Sequence, residues 1–356
     1  MDTYESIQWI KERGLDEISQ KYVNNIKNVF VPCLNVKDEK VLIIGDIGFE
    51  GRHISPILAT SYYHAAQELR LNVKLVLQEV KPRGSVADLD VIQSLEGLEQ
   101  GNIVVMCCSN KLGSIGSLGK SMRKYCAKKK LRFLSSMSLG DLTNEQLPDV
   151  ISAIDISYKT IQMRQNEVKE KLDNANEIHV KTKAGTDLII DITGMNSISA
   201  DGDYGEDGGG GNMPAGEVYI PPKGKGVNGV VVVDGSSRSH ACTSLIKDPM
   251  TLTIKEGSVV KIEGGKEAKL IEDTIEWASK KSKHPGSLRR IGEFGIGMNP
   301  NAKIIGSTLV DEKAIGTAHI GIGSNYWFGG TIYSIIHLDQ IFKDPEIYLD
   351  GEKLVI

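Results

Sequence analysis

Lys40-Val-Leu-Ile-Ile-Gly45 is a short, unbroken aliphatic run that ends on a glycine. It is too brief for a stable helix and closes on a turn residue, so it predicts a strand buried on both faces. Further along the chain, Val73-Lys-Leu-Val-Leu77, Ile103-Val-Val-Met-Cys-Cys108 and Leu131-Arg-Phe-Leu134 repeat the pattern. The segments 55–69, 86–97 and 117–130 between them are compatible with helix. Ahead of the first strand, Ile7, Ile10, Leu15, Ile18, Tyr22 and Ile26 give residues 4–27 a helical period. Strands alternating with helices predict an α/β domain with a mostly parallel sheet. A further helix is expected over 144–173.

The pattern changes near residue 175. Ile178-His-Val-Lys-Thr-Lys-Ala-Gly-Thr-Asp-Leu-Ile-Ile-Asp-Ile192 alternates around Ala184-Gly-Thr186, which predicts a hairpin. Val227-Asn-Gly-Val-Val-Val-Val233, Leu252-Thr-Ile-Lys255 and Val259-Val-Lys-Ile-Glu263 add strands. Glu267, Leu270, Ile271 and Ile275 predict one helix over 266–281. The expected organisation is an N-terminal α/β domain over 1–175 and a C-terminal α+β metal-binding domain over 176–356.

Composition narrows the functional classes. A formal charge of −4 gives no reason to expect a nucleic acid or an anionic membrane as partner. No apolar run approaches the roughly 18 residues of a membrane helix, and the acidic start Met1-Asp-Thr-Tyr-Glu-Ser6 has no apolar leader core. The five cysteines, Cys33, Cys107, Cys108, Cys126 and Cys242, follow no framework spacing. They are expected as reduced thiols, and the protein as cytoplasmic. The glycine clusters do not match nucleotide loops. Gly208–Gly211 is followed by no Gly-Lys-Ser/Thr and is expected to turn the chain before Asn212. Gly45-Asp-Ile-Gly48 lacks the third glycine of a dinucleotide fingerprint. The basic stretch 120–132 is expected as a solvated helix face.

The chemistry concentrates in the second half. Glu217, Glu293, His319, His337 and Asp339 sit among glycines and apolar residues that should draw them inward. In His337-Leu-Asp339 the two side chains face one side of a strand. Singly, each of these residues would be a surface acid, a hydrogen-bonded pair or a satisfied core histidine. Together, carboxylates and imidazoles drawn out of water point to a divalent-metal site. His53, His64, His179, His240 and His284 lie in no comparable setting. A closed structural zinc site would be cysteine-rich, and no cysteine falls in these motifs.

The ordered series resembles the aminopeptidase T and aminopeptidase S type of leucyl aminopeptidase. The matching stretches are Asn212-Met-Pro-Ala-Gly-Glu217-Val218, Val227–Gly235, Ile291-Gly-Glu293-Phe-Gly-Ile-Gly-Met-Asn-Pro300, Asp311-Glu-Lys-Ala-Ile-Gly-Thr-Ala-His319-Ile-Gly-Ile-Gly323 and Ser334-Ile-Ile-His337-Leu-Asp339. The resemblance implies two divalent ions (zinc, cobalt or manganese) held by Glu217, Glu293, His319, His337 and Asp339. It implies Glu312 as outer ligand or general base, and Tyr326 as donor to the tetrahedral intermediate. It also implies a homodimer acting on short peptides. The closing Ile336-His-Leu-Asp339, followed by Ile347-Tyr-Leu-Asp350, is similar as well to a related branch, the dihydroxypyridine ring-cleaving dioxygenases. These hold one iron through two histidines and a carboxylate. That branch carries a histidine where this chain has Glu293 and lacks the Asp311–His319 segment, so the expectation is two metals and hydrolysis.

Overall fold

A computed structural model describes residues 1–82, 84–119 and 121–356; Lys120, which opens the basic stretch, lies outside the described residues. Four expected strands form one parallel sheet in the order Asn72–Gln78, Lys40–Asp46, Ile103–Cys107, Arg132–Ser136. Every residue of Ile103–Cys107 and of Arg132–Ser136 is buried, which is why these strands read as continuous runs rather than alternations. The helix Ile54–Glu68 lies against the sheet. A cluster of Leu42, Ile44, Val76, Val104, Met106, Val91 and Leu95 forms the core beside it. Cys107 and Cys108 are wholly buried and their thiols are pushed up by burial. Among the described residues, no helix is long and apolar enough to cross a membrane.

Two expected helices are broken. The N-terminal period divides into Thr3–Glu12, Asp16–Gln20 and Val23–Leu34, the first break coming at Gly14 with φ +66°. The 144–173 segment divides into Leu147–Ile154 and Tyr158–Asn174. The glycine run also departs from expectation. Gly208 turns the chain with φ +80°, but Gly210–Asn212 is a fifth parallel strand, paired with Phe133, Leu134 and Ser135. A Cβ on Gly210 would lie 2.2 Å from the Phe133 ring, and one on Gly211 2.6 Å from the Tyr204 ring. Only glycine fits between those two aromatic rings.

This strand makes the division of the chain discontinuous. One compact unit comprises Met1–Lys159 with Gly202–Ala215, and the other Thr160–Asp201 with Gly216–Ile356. A single cut near 175 does not describe that division, because the glycine strand returns to the first sheet.

The second unit holds two antiparallel sheets of seven strands each. One contains the expected hairpin, Glu177–Lys181 with Asp187–Asp191, turning through Gly185 at φ +114°. Val227–Val233, Met250–Lys255 and Ser258–Glu263 extend it. The helix Lys266–Ser279 ends two residues before its expected limit. The other sheet runs in the order Thr243–Leu245, Ser236–Arg238, His337–Lys343, Thr317–Gly323, Ile291–Gly297, Glu217–Ile220, Ile198–Ala200. Its central strands carry the candidate site.

Candidate metal centre

Four adjacent strands of that sheet place the predicted ligands on one face. In the antiparallel ladder Glu293 lies opposite Gly321, and Gly321 opposite Asp339. His319 lies opposite Gly295, Glu217 opposite Gly297, and His337 opposite Gly323. Directly opposed residues share a face, as do alternate residues along a strand. The polar side chains therefore alternate across strands with glycines. The other face carries Val218, Phe294, Ile296, Ile320, Ile322 and Leu338, all buried.

The glycines make the site possible. A Cβ on Gly295 would fall 2.1 Å from His319 Cε1. One on Gly321 would fall 2.9 Å from both Glu293 Cβ and His337 Cε1. The two imidazoles thus occupy volume that any other residue at these positions would take.

The short helix Thr308–Asp311 delivers a second contribution. Asp311 accepts the backbone N–H groups of Ile305 at 2.7 Å and Gly306 at 3.1 Å, which ties the loop down. Burial pushes its carboxyl up to about 6. Glu312 and Lys313 follow. Lys313 is completely buried, and its ammonium donates to Glu217 Oε1 at 2.5 Å and to Glu312 Oε1. Burial alone would drive Lys313 to lose its proton, but the carboxylates of Glu217 and Glu312 outweigh that and hold it charged.

The remaining contacts form a chain of charge. His319 Nε2 is 3.2 Å from Glu293 Oε1 and 3.7 Å from Glu217 Oε2. His337 Nε2 is 3.3 Å from Glu293 Oε2 and 3.0 Å from Asp339 Oδ1. The two oxygens of Glu293 therefore face different imidazoles. His337 Nδ1 lies 2.8 Å from the Ser324 carbonyl, which sets that nitrogen as the protonated one and leaves the Nε2 lone pair for an ion. In the amide orientation that satisfies both groups, Gln165 donates to the Glu217 carbonyl at 2.8 Å and accepts its N–H at 3.2 Å, clamping that strand end.

Protonation follows from these neighbours. Burial pushes Glu312 up to about 8, with Glu217 and Asp339 adding to the effect against Lys313. For Asp339 burial acts upward, but His337 and His319 outweigh it and bring the carboxyl down to about 2. Burial would lower His319, yet Glu293, Glu217 and Asp339 raise it to about 9.

The donor set fits divalent ions. Among the described residues, three overlapping groups have ligand atoms within 4.8 Å of one another: Glu217, Glu293 and His319; Glu293, His337 and Asp339; Glu312, His319 and Asp339. Glu217 Oε2 and His319 Nδ1 are buried without a hydrogen-bond partner in the protein. Buried polar atoms are rarely left so, and carboxylate oxygens beside imidazole suit zinc, manganese, cobalt or iron.

All five expected ligands and Glu312 thus come together. Tyr326 stands in the neighbouring loop, 43% exposed, its ring stacked on Tyr333 at 4.6 Å. The aromatic rings beside His337 are Trp327 at 5.2 Å and Phe328 at 6.3 Å. Lys313, Gln165 and Trp327 received no role from the sequence. Lys313 lies in Asp311-Glu-Lys313, where its position directly after two acids was the available signal. Of the discounted histidines, His64 pairs with Asp16, His179 with Asp187, and His240 with Thr274.

Comparison with known proteins divides between the two branches. The family described as NicX: 2,5-dihydroxypyridine 5,6-dioxygenase matches residues 21–356. The 2,5-dihydroxypyridine 5,6-dioxygenase of Pseudomonas putida is 25% identical over 194 residues, covering 52% of this chain and 54% of that protein. Aminopeptidase AmpS of Bacillus subtilis is 27% identical over 203 residues, covering 51% and 48%. The chain spans about half the length of these curated relatives. Among solved structures, the 2,5-dihydroxypyridine dioxygenase of Pseudomonas putida superposes with a TM-score of 0.72 at 19% identity, over 95% of this chain and 96% of that one. Wild-type AmpT from Thermus thermophilus gives 0.62 at 13% identity, over 94% and 99%. At these identities the structural likeness establishes the fold. The aminopeptidase resemblance is therefore supported in part, while the family match over residues 21–356 falls on the branch expected as the alternative. By that match the chain belongs to the family described as NicX: 2,5-dihydroxypyridine 5,6-dioxygenase.

Proposed function

We propose that this chain is a metal-dependent aminopeptidase that removes N-terminal residues from short peptides, working within a family named for ring cleavage. One observation carries this reading. Each three-donor group contains one imidazole and two carboxylates, and none contains both His319 and His337. An iron ring-cleaving site of the two-histidine, one-carboxylate type needs both imidazoles on one ion. With Glu293 between the imidazoles, one oxygen toward each, the arrangement suits two ions sharing a carboxylate.

Glu293, His337 and Asp339 would hold one ion, and Glu217, His319 and Glu293 the other. When bound, such ions polarise a carbonyl and lower the pKa of water. The chain's own residues supply the rest. Glu312, buried beside Lys313 and grouped with His319 and Asp339, is the proposed general acid–base group. Lys313 keeps Glu217 and Glu312 in place through its two ion pairs. Tyr326 is the proposed donor to the developing oxyanion. Trp327, 46% exposed against the His337 ring, with Tyr326 and Tyr333 beside it, offers an aromatic surface for a bulky N-terminal side chain. The homodimer implied by the resemblance belongs to the same proposal.

The second reading, a one-iron ring-cleaving dioxygenase, is supported by the family match and by His337-Leu-Asp339. Protein stripped and reloaded with zinc, cobalt or manganese, kept free of oxygen, separates the two. Release of the N-terminal residue from free peptides but not from N-acetylated ones is expected. No release across a peptide panel, with oxygen-dependent opening of a dihydroxypyridine by the iron form, would sink the proposal.

A further inference from the structure

We infer that Lys313 divides the centre into two unequal ion positions: a strong one at Glu293, His337 and Asp339, and a weaker one at Glu217 and His319, where its ammonium already engages the carboxylate. The inference rests on the two-ion reading above and concerns how the ions load.

Lys313 is an unusual occupant of a cation site. It is completely buried, and its backbone is fixed at both ends: its N–H donates to the Val310 carbonyl at 3.1 Å and its carbonyl accepts the Asn299 N–H at 2.8 Å. The ammonium lies 2.5 Å from Glu217 Oε1 and also pairs with Glu312. Two of the three candidate groups, the one with Glu217 and the one with Glu312, therefore include a carboxylate already committed to a fixed positive charge. The third group is different. Among the described residues, no lysine or arginine forms an ion pair with Glu293 or Asp339; Lys313 acts on Asp339 only through space, as the weakest of its named neighbours, and the His337 ring is oriented by the Ser324 carbonyl.

The consequence is electrostatic. A divalent ion entering at Glu217 and His319 meets the repulsion of a neighbouring buried ammonium, and shares a carboxylate with it. An ion at Glu293, His337 and Asp339 meets two carboxylates and an oriented imidazole. Lys313 thus acts as a positioning residue. It holds Glu217 and Glu312 in place when the weaker position is vacant and competes with the ion that fills it.

Titration of the chelator-stripped full chain with manganese, followed by calorimetry and by electron paramagnetic resonance, tests this without any substrate. Two steps with dissociation constants at least about tenfold apart are expected. The first equivalent should give an isolated manganese signal, and the second should diminish it through spin coupling. Glu217→Gln should remove the weaker step and keep the stronger within roughly threefold, while Asp339→Asn should remove the stronger. Lys313→Met should narrow the gap between steps. Two equal steps in the natural chain, loss of the stronger step in Glu217→Gln, or an unchanged gap in folded Lys313→Met would overturn the inference. One ion only, in both the natural chain and folded Lys313→Met, would overturn it too. If Lys313→Met fails to fold, Glu217→Gln decides. Unequal loading without peptide cleavage would sink the aminopeptidase reading and leave this one standing; equal loading with cleavage would do the reverse.

Discussion

Gly295→Ala puts the steric basis of the centre to a quantitative test. Gly295 lies directly opposite His319, and a Cβ there would fall 2.1 Å from Cε1 and 2.2 Å from Nε2 of that ring. Ordinary contact begins near 3.4 Å, so the imidazole must retreat by about 1.3 Å. Functional donors need to be held within about 0.5 Å of their productive place, so one methyl group should displace a ligand beyond tolerance. The backbone of Gly295 is not in the left-handed region, so the effect is one of volume, not of conformation. Overpacking of this kind costs about 1–3 kcal/mol, or roughly 2–12 °C in Tm for a unit of this size. Metal affinity should fall by about 10–100-fold, as when the support of a ligand is lost. Calorimetric titration with zinc or manganese and thermal unfolding would measure both. Gly286→Ala is the control, because a Cβ there meets nothing within 4 Å. If Gly295→Ala bound metal as the natural chain does, the His319 ring would not depend on the glycine beneath it, and the account of the strand glycines would fail.

Further outcomes follow from individual residues. Trp327→Ala should lower kcat/KM by roughly 10–100-fold for peptides with bulky N-terminal residues and leave alanyl peptides almost unaffected, by steady-state kinetics. Tyr326→Phe should lower kcat by about 10²–10³-fold with metal content unchanged by elemental analysis; equal loss of both would contradict a transition-state role. In chelated protein, His319 is held up to about 9 by its carboxylates from an ordinary 6.5. A raised basic pKa contributes stability that is full below pH 6.5 and lost as pH rises through 9, roughly 3 kcal/mol at most. Glu312, raised to about 8 by burial, moves stability in the same direction. Tm of the stripped protein should therefore fall from pH 6.5 to 9, and a flat profile would show that His319 is not so paired. Cys242 is half-buried whereas Cys33, Cys107, Cys108 and Cys126 are buried, so one thiol of five should react with a disulfide reagent before unfolding.

The strands of the first sheet were legible because parallel strands covered on both faces must be apolar throughout, as Ile103–Cys107 is. Gly210–Asn212 was not legible, because a Gly-Gly-Asn strand whose glycines lie against the Phe133 and Tyr204 rings carries no hydropathy signal. That omission also hid the return of 202–215 to the first unit. In the centre, Glu217, Glu293, His319, His337 and Asp339 stood out because acids and imidazoles among glycines have no ordinary use in a buried sheet. Lys313 did not, because a lysine in sequence reads as solvated; only the fold shows its ammonium wholly buried beside Glu217. Tyr326 came from the family resemblance alone, and Trp327 carries no signal of its own in the sequence. The packing of its ring against His337 depends on how the short turn Tyr326–Phe328 is folded.

The central claim, two ions each held by one imidazole and sharing Glu293, is tested most directly by anomalous scattering from crystals of the zinc- or manganese-loaded protein. Two anomalous peaks roughly 3.5–4 Å apart, one beside His319 and one beside His337 with Glu293 between them, are predicted. A single peak bound by both imidazoles and one carboxylate would contradict the account and point to the one-iron chemistry for which the family is named.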